Sequence, residues 1–309
     1  MGSNLVEALL DGGDQVRVVD CLTDYYDVAQ KEGNLDRVAA RDGCEIALAD
    51  LRETDIAPLL DGIDVVYHQA GQPGVRLSWA EGFAAYDSCN ILATQRLLEA
   101  CRDTPIDRFV FASSSSVYGE APRYPTVETD LPKPRSPYGV TKLAAEHLCG
   151  LYAVTWGVPT VSLRYFTVYG PSQRPDMSFH RMCEAVLGGE SFPLLGDGSQ
   201  VRSFTYVGDV VEANRRAAIA DVEPGSVINI SGGSSVQLSE VIDMLEELAG
   251  SRVPIERRPA AAGDVARTGG SIELAQSLLG WEPKTGVREG LAEQLDWHRS
   301  RRDGAARVR

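Results

Sequence analysis

Three consecutive features in the middle of the chain place the strongest constraint on its fold. Residues 108–112 read as a buried parallel strand, and serines occupy positions 113–116 directly after it. Ser136 is then predicted to cap a helix, so that Tyr138 and Lys142 lie four residues apart on one face near the helix N-terminus. Because ligands of open α/β sheets bind beyond the carboxyl ends of the strands, this pattern predicts a functional site there.

The tyrosine and the lysine together predict a base. A neighbouring ammonium group and the positive end of a helix dipole both favour a phenolate, so we expect the pKa of Tyr138 to fall below its reference value of about 10. Tyr138 is then a candidate proton acceptor, and a hydroxyl from the preceding serine run can hydrogen-bond the same substrate oxygen. A Tyr-x-x-x-Lys pattern is weak by itself, so a purely structural pair is the alternative.

This arrangement resembles the extended short-chain dehydrogenase/reductases, in particular the NAD-dependent nucleotide-sugar epimerases and dehydratases. The resemblance runs from Gly2 to about His298. It implies an α/β fold with a Rossmann-like, doubly wound parallel sheet and a smaller α/β substrate domain. It also implies that Ser114, Tyr138 and Lys142 are the catalytic residues.

The resemblance further divides the chain into two domains. Residues 1–164, with 202–235 returning to them, are expected to form the NAD-binding Rossmann domain. Residues 165–201 and 236–300 are expected to form the substrate-binding domain, and 301–309 a charged, disordered tail. A chain of 309 residues is long enough for one large α/β unit with a smaller partner.

The start of the chain departs from the expected pattern. Residues 1–10 read as a helix and 15–20 as a buried strand that ends in Asp20. A dinucleotide-binding unit normally begins with a strand and a glycine-rich turn, of which only Gly2 could remain here. We therefore expect the first strand and most of the glycine-rich turn to be missing. A start site assigned too late is our hypothesis, and a true truncation is the alternative.

Cofactor choice depends on Asp20. A carboxylate accepts hydrogen bonds from ribose hydroxyls and repels a 2′-phosphate, which favours NAD over NADP; a solvated acid at a strand end is the alternative. The resemblance assigns the adenine contact to Asp50 and Leu51. The complete set of expected cofactor-binding residues is Gly2, Asp20, Asp50, Leu51, Ala70, Asn90, Tyr138 and Lys142.

Residues 166–177 carry the resemblance that is most specific for the substrate. The run Phe-Thr-Val-Tyr-Gly-Pro-x-x-Arg-Pro-Asp-Met resembles the UDP-glucuronate 4-epimerases, whereas UDP-galactose 4-epimerases carry Asn where Thr167 stands. A structural turn is the alternative for this segment, as a surface arginine is for Arg76. The substrate residues that the resemblance implies, around the sugar carboxylate and the UDP phosphates, are Arg76, Ser115, Ser116, Thr167, Arg174, Arg202, Asp264 and Arg267.

The residues that follow Ser114 decide between reactions. By resemblance, sugar 4,6-dehydratases carry Asp-Glu at the positions of Ser115 and Ser116, and UDP-glucuronate decarboxylases carry Glu at the position of Ser116. We therefore expect epimerisation at C4 of a UDP-hexose, UDP-glucuronate to UDP-galacturonate, through a 4-keto intermediate. The alternatives are a UDP-glucose/UDP-galactose 4-epimerase, a decarboxylase or 4,6-dehydratase, and a noncatalytic nucleotide-binding subunit.

Composition limits the partners. The 44 acidic and 30 basic residues give a net charge of −14, which disfavours nonspecific binding to nucleic acid or to anionic membranes. The six cysteines form no C-x-x-C pair, and no histidine stands at ligand spacing, so we expect no metal site and buried thiols in a reducing cytoplasm. No apolar run approaches about 18 residues, which predicts a soluble protein. By resemblance, the helices at 90–100 and 138–151 would form a homodimer interface.

Overall fold

The computed structural model describes residues 1–259 and 265–307. The strands are, in chain order, β1 (Val16–Asp20), β2 (Cys44–Leu48), β3 (Val65–His68), β4 (Arg108–Ser114), β5 (Thr160–Tyr165), β6 (Val168–Tyr169), β7 (Phe192–Leu195), β8 (Val201–Arg202), β9 (Thr205–Tyr206), β10 (Ser226–Ile230), β11 (Val236–Gln237) and β12 (Ile255–Arg258). The helices are α1 (Gly2–Asp11), α2 (Val28–Ala39), α3 (Phe83–Tyr86), α4 (Ala93–Asp103), α5 (Pro137–Trp156), α6 (Ser178–Gly188), α7 (Val207–Ile219), α8 (Leu238–Ala249), α9 (Glu273–Leu279) and α10 (Val287–Arg307).

The central sheet is parallel and has the strand order β10-β5-β4-β3. Successive side chains of a strand point to opposite faces, and β4 shows this directly. Phe109 and Phe111 pack in the core beneath α4 and α5, whereas Val110 packs in the core beneath α7 and α9. Helices therefore cover both faces of the sheet, which confirms the predicted doubly wound α/β architecture.

The strands β1 and β2 form a separate parallel pair. Val16 of β1 and Tyr67 of β3 both pack in a small cluster with Leu5 of α1. Within the described chain, β1 pairs only with β2 and β3 pairs only with β4, so each has an unpaired edge. The prediction that residues 15–20 form a fully buried strand is wrong, because this strand has only one neighbour and its side chains stay partly exposed.

A second hydrophobic core lies among β7, α6, α8 and α10. The strands β7 and β12 pair in parallel beside it. The helix α10 runs without interruption to Arg307. The prediction of a disordered tail from residue 301 is therefore wrong for 301–307, which the structure describes as the last two turns of this helix.

The thiols differ in their exposure. Cys101, Cys149 and Cys183 are buried, as predicted, but Cys21 is exposed. Cys21 follows the half-exposed strand β1, where little packs against it. Among the helices that the structure describes, none combines the length and the apolar character needed to cross a membrane.

Candidate active site

The start of α5 has the predicted geometry. The hydroxyl of Ser136 accepts a hydrogen bond from the backbone N–H of Gly139 at 3.1 Å, and Pro137 is the first helical residue. This confirms the predicted helix cap. A Cβ atom at Gly139 would lie only 2.6 Å from the carbonyl oxygen of Ser116. The glycine therefore lets the helix approach the serine run closely.

Tyr138 lies at this contact, and its phenol is hydrogen-bonded to the side chain of Ser114. Burial raises the pKa of the Tyr138 phenol above its usual value, while the Ser114 hydrogen bond and the charge of Arg174 act in the opposite direction. The expected fall in the pKa is therefore wrong for the ligand-free chain, because desolvation outweighs the neighbouring dipoles and charges.

Lys142 is buried one turn further along α5. Its ammonium nitrogen donates a hydrogen bond to the carbonyl oxygen of Ala112 at 2.8 Å and lies 5.0 Å from the centre of the Phe111 ring. Burial lowers the pKa of Lys142 to about 8. The lysine thus ties α5 to the carboxyl end of β4, on the side where the sheet meets Tyr138.

The serine run turns sharply after β4. The hydroxyl of Ser114 accepts a hydrogen bond from the backbone N–H of Ser116 at 3.2 Å, which closes a single 3₁₀ turn. Ser115 lines a small cleft of about 10 Å³, and Arg267 and Phe166 line the same cleft. Two predicted substrate residues that are distant in sequence, Ser115 and Arg267, are therefore close in space.

Arg174 forms a two-pronged ion pair with Asp176, with both N···O distances at 2.9 Å. Its guanidinium also lies 5.9 Å from the centre of the Tyr25 ring. Burial would raise the pKa of Asp176, but the hydrogen bonds and charge of Arg174 hold it below its usual value. Thr167, which directly precedes β6, is half-buried and comes before this segment in the chain.

Side chains from α1, α2 and the loop between β1 and α2 contact the segment 170–176. The Asn4 amide of α1 donates to the carbonyl oxygen of Pro171 at 3.4 Å, and Arg37 of α2 donates to the hydroxyl of Ser172 at 3.0 Å. Ser172 has φ 61°, a left-handed conformation that is uncommon for a residue with a side chain. We call these contacts, with the Tyr25 hydroxyl that donates to Asp176 at 3.3 Å, the clasp.

The predicted UDP-binding residues fall into two places. The Arg202 guanidinium donates to the carbonyl oxygen of Val265 at 2.6 Å, and a backbone bridge joins Val201 to Arg267, so Arg202 of β8 and Arg267 lie on adjacent segments. Arg76 is exposed in a separate 3₁₀ turn. Asp264 lies outside the described residues.

The predicted cofactor residues follow the carboxyl ends of the parallel strands. Asp20 ends β1, and its carboxylate accepts a hydrogen bond from the Leu22 N–H at 2.7 Å. Asp50, two residues after β2, binds the Arg52 Nε at 2.9 Å, and this hydrogen bond lowers the pKa of the carboxyl. Ala70, two residues after β3, is exposed.

These positions fit a dinucleotide. Gly2 begins α1, and the space where its Cβ would stand is open for 4 Å, so the helix N-terminus can accept a diphosphate. The Asp20 carboxylate suits a ribose diol, and the buried ammonium of Lys142 suits the hydroxyls of a second ribose. Leu51 differs from the others, because its side chain packs towards the core beneath α4 and α5.

Asn90 is buried in a π-helical turn that precedes α4. Its amide accepts from the Gln72 N–H at 2.7 Å and donates to the Gln72 carbonyl and the Thr141 hydroxyl, each at 3.0 Å. It therefore fixes the loop after β3 against α5.

His68 is also buried, and its ring lies 2.8 Å from the Thr94 hydroxyl. Burial lowers the pKa of His68 to about 3, which agrees with a structural role.

A buried ion pair lies behind the serine run, and the sequence patterns did not predict it. Glu146 of α5 and Arg164 of β5 approach to 2.6 Å, and the side chain of each is only 4% exposed. The hydroxyl of Ser113 donates to Glu146 at 2.7 Å, and Arg164 donates to the Tyr118 hydroxyl at 2.7 Å. The available signal was a glutamate and an arginine inside otherwise apolar segments.

Comparisons with known proteins agree with this geometry. The model of a family described as the NAD dependent epimerase/dehydratase family matches residues 1–231. The chain is 39% identical over 296 residues to an uncharacterised UDP-glucose epimerase of Bacillus subtilis, YtcB. This match covers 96% of this chain and 93% of that protein. It is 34% identical over 304 residues to the UDP-glucuronate 4-epimerase of Thermodesulfobacterium geofontis, with 96% and 92% covered.

A solved structure extends the comparison to the whole fold. The UDP-glucuronic acid 4-epimerase of Bacillus cereus, in complex with UDP-glucuronic acid and NAD, matches with a TM-score of 0.93 and 39% identity. The match covers 97% of this chain and 96% of that one.

Proposed function

The chain belongs to the NAD-dependent epimerase/dehydratase family, and we propose that it interconverts UDP-glucuronate and UDP-galacturonate by inverting C4 of the sugar. It is an enzyme of the isomerase type, and its cofactor is NAD. Relatives with a UDP-glucuronate 4-epimerase name and a Bacillus cereus structure that holds UDP-glucuronic acid and NAD support this assignment.

The charge of Arg174, which acts on the Tyr138 phenol, supports the choice of sugar. The charge of Arg174 acts on the Tyr138 phenol, and Ser114 hydrogen-bonds the same phenol. In a glucuronate the carboxylate is attached to C5, the carbon next to C4. A guanidinium near the base that receives the C4 hydroxyl proton is therefore well placed for that carboxylate, and its fork suits two carboxylate oxygens.

In this proposal Tyr138 moves the proton at O4. It accepts the proton of the C4 hydroxyl as a phenolate, a form that Ser114 and the charge of Arg174 favour against the effect of burial, and it returns a proton to O4 after the ring has turned over in the site. Bound NAD supplies a reversible acceptor for the C4 hydride. Ser114 hydrogen-bonds O4 throughout and fixes its distance from the phenol. The reaction has no net oxidation, because the ketone formed at C4 is reduced again on its other face.

The remaining cofactor residues have binding roles in this proposal. The N-terminus of α1 at Gly2 receives the diphosphate, and Asp20 receives the adenosine ribose. Asp50 and Leu51 flank the adenine, and Ala70 lines the path beside the nicotinamide half. Asn90 holds that path in place through its hydrogen bonds to the backbone of Gln72. Lys142 anchors the nicotinamide ribose and supports the phenolate.

In this proposal the substrate residues bind the two charged groups of UDP-glucuronate, which are the sugar carboxylate and the diphosphate. Ser115, Ser116 and Thr167 offer neutral hydroxyls to the sugar carboxylate, alongside Arg174. These hydrogen bonds and the Arg174 charge stabilise the negative charge on the carboxylate, which opposes loss of carbon dioxide from the 4-keto sugar. The phosphates would be held by Arg76, Arg202 and Arg267; Asp264, which the resemblance also assigns to the UDP group, lies outside the described residues.

One alternative activity within the family, 4-epimerisation of UDP-glucose, is also supported by an observation. The Bacillus subtilis relative carries the name UDP-glucose epimerase, and the hydroxyls of Ser115, Ser116 and Thr167 can equally hold an uncharged hydroxymethyl group. A decarboxylase or 4,6-dehydratase is less well supported, because neither Ser115 nor Ser116 can supply the carboxyl group that the resemblance associates with those reactions.

The test is a paired assay of the full chain with NAD. UDP-glucuronate and UDP-glucose are supplied separately. The products are separated by chromatography, and their molecular masses are measured by mass spectrometry. We expect UDP-galacturonate of unchanged mass, and a kcat/KM for UDP-glucuronate at least about tenfold higher than that for UDP-glucose, equivalent to about 1.4 kcal/mol. The opposite preference would establish the rival, and a product lighter by carbon dioxide or water would establish the other reactions.

We propose in addition that two copies pair through α4 and α5. On α5, Leu151 is 56% exposed, while Leu148 packs towards the core. Val140 and Val154 of α5 are also exposed, at 48% and 87%, and lie on the same face as Leu151 by helical spacing.

A cytoplasmic location is proposed as well, because all six thiols are free.

A further inference from the structure

Two helices of the second core bring together side chains that can bind a metal ion. His180 and Glu184 lie one turn apart on α6, and His298 projects from α10, with the two imidazole centres 4.5 Å apart. One ligand atom from each of the three residues lies within 4.8 Å of the others. We propose that His180, Glu184 and His298 form a binding site for a divalent transition-metal ion such as zinc, separate from the site around Tyr138.

The environment of His180 fixes the nitrogen that would bind the metal. Its Nδ1 lies 2.8 Å from the carbonyl oxygen of Gln173. A carbonyl oxygen can only accept a hydrogen bond, so Nδ1 carries the hydrogen and Nε2 keeps its lone pair. Histidine ligands of metals commonly donate their other ring N–H to a backbone carbonyl in this way, because it sets the tautomer and the orientation of the ring.

His298 supplies the second imidazole. Its ring is 1% exposed, and Nδ1 lies 2.5 Å from a carboxylate oxygen of Glu184. The other nitrogen, Nε2, is buried and has no hydrogen-bond partner among the described residues. A buried nitrogen without a partner is costly, since it has lost its hydration without compensation. A cation bound at Nε2 would remove this cost.

The cluster can be reached from solvent. His180 and Glu184 line a cleft of about 220 Å³, together with Glu190 and Phe192. Three protein ligands leave at least one coordination position free in a tetrahedral zinc site, and water from the cleft can fill it. Two imidazoles and one carboxylate form a donor set that suits zinc and its neighbours rather than calcium or magnesium, which prefer oxygen ligands.

Neighbouring positive charges set the strength of the site. Arg302 approaches the second carboxylate oxygen of Glu184 at 3.3 Å, and its side chain is 42% exposed. Arg301 lies over the Trp297 ring at 4.7 Å. Burial lowers the pKa of both His180 and His298. Arg302 therefore competes with a cation for Glu184, and its removal should strengthen metal binding.

The test is a metal titration of the full chain after removal of any affinity tag and treatment with a chelator. Cobalt(II) is added while its visible absorption is recorded, and zinc is then used to displace it. We expect one ion per chain and weaker zinc binding by at least about tenfold in His180→Gln and in Glu184→Gln. His147→Gln removes an exposed histidine elsewhere and should leave the affinity unchanged. Arg302→Gln should bind zinc severalfold more tightly.

Three results would overturn the site. They are equal zinc affinity in Glu184→Gln and the unchanged chain, a loss of affinity in His147→Gln as large as that in His180→Gln, and no cobalt absorption at millimolar concentration. Thermal unfolding without metal shows whether each variant is folded. Glu184 is 41% exposed on its side chain, so Glu184→Gln decides the question even if a substitution of the buried histidines prevents folding.

Discussion

The ammonium nitrogen of Lys142 lies 2.8 Å from the carbonyl oxygen of Ala112, near the end of the central strand β4. A buried cation usually pairs with a carboxylate, but here it is held by a backbone dipole. The contact fixes the start of α5 against the sheet and so sets the position of Tyr138. Burial of the same ammonium group lowers its pKa to about 8.

The first prediction concerns stability and pH. The pKa of Lys142 is lowered to about 8 in the folded chain from 10.5, so between these values the unfolded chain binds more protons and stability rises with pH. We expect the free energy of unfolding of the cofactor-free chain to increase by about 1 kcal/mol more between pH 7 and 9 than that of Lys142→Met. Urea unfolding at both pH values measures this. Equal pH dependence in the two proteins would contradict the buried, lowered-pKa lysine.

The second prediction concerns the base. Tyr138→Phe removes the only group that the mechanism uses to accept the O4 proton, so kcat should fall by at least about 100-fold. The change keeps the buried ring, and the melting temperature should stay close to that of the unchanged chain. Tyr152→Phe is the matched control on the same helix and should retain its kcat. Unchanged turnover in Tyr138→Phe would favour a different base or a noncatalytic role.

The third prediction concerns substrate choice. Arg174→Met removes the cation that the proposal assigns to the sugar carboxylate. A hydrogen bond to a charged group contributes about 1.5–3 kcal/mol, so the preference for UDP-glucuronate over UDP-glucose in kcat/KM should fall by about 10- to 100-fold.

Asp176→Asn is the control for Arg174. It weakens the ion pair but leaves the guanidinium in place, so the preference should largely persist. If both substitutions change the preference equally, the segment as a whole, and not the cation, determines the choice of sugar.

The fourth prediction concerns the buried pair Glu146–Arg164. Removing one partner leaves an uncompensated charge, so Glu146→Leu should lower the free energy of unfolding by about 3–5 kcal/mol. The double variant Glu146→Leu/Arg164→Met should be more stable than the sum of the single changes implies. Denaturant unfolding of the four proteins forms the cycle. Additive effects would mean that the two side chains act independently.

The fifth prediction concerns assembly. Val154 of α5 and Ile219 of α7 are 87% and 86% exposed, which makes them a matched pair. Val154→Glu places a charge on the proposed interface and should convert dimers to monomers, whereas Ile219→Glu should not. Light scattering gives the mass directly. The same mass for both variants would remove α5 from the interface.

Local chemistry explains what could be predicted from the sequence. The Ser136 cap depends on one short-range hydrogen bond, and the alternation of Phe109, Val110 and Phe111 reports two buried faces. Both patterns are independent of distant parts of the chain. They were therefore sufficient to predict the central strand and the helix that carries Tyr138.

Other features depend on tertiary contacts that no local pattern contains. The pKa of Tyr138 follows from how completely the surrounding elements exclude water. His298 meets His180 only because α10 crosses α6, so the spacing of histidines in the sequence gave no sign of their proximity. The exposure of β1 likewise reflects its pairing with β2 alone among the described strands, and not its apolar composition.

The clasp has a thermodynamic consequence. It joins the segment that carries Arg174 to Asn4 and Arg37, which belong to the helices on the cofactor side. If dinucleotide binding orders those helices, it also orders the sugar-recognition segment, and linkage requires the effect to be reciprocal. UDP-sugar and NAD should therefore raise each other's affinity by one common factor, so that NAD binds more tightly to an enzyme that holds a UDP-sugar than to one that does not.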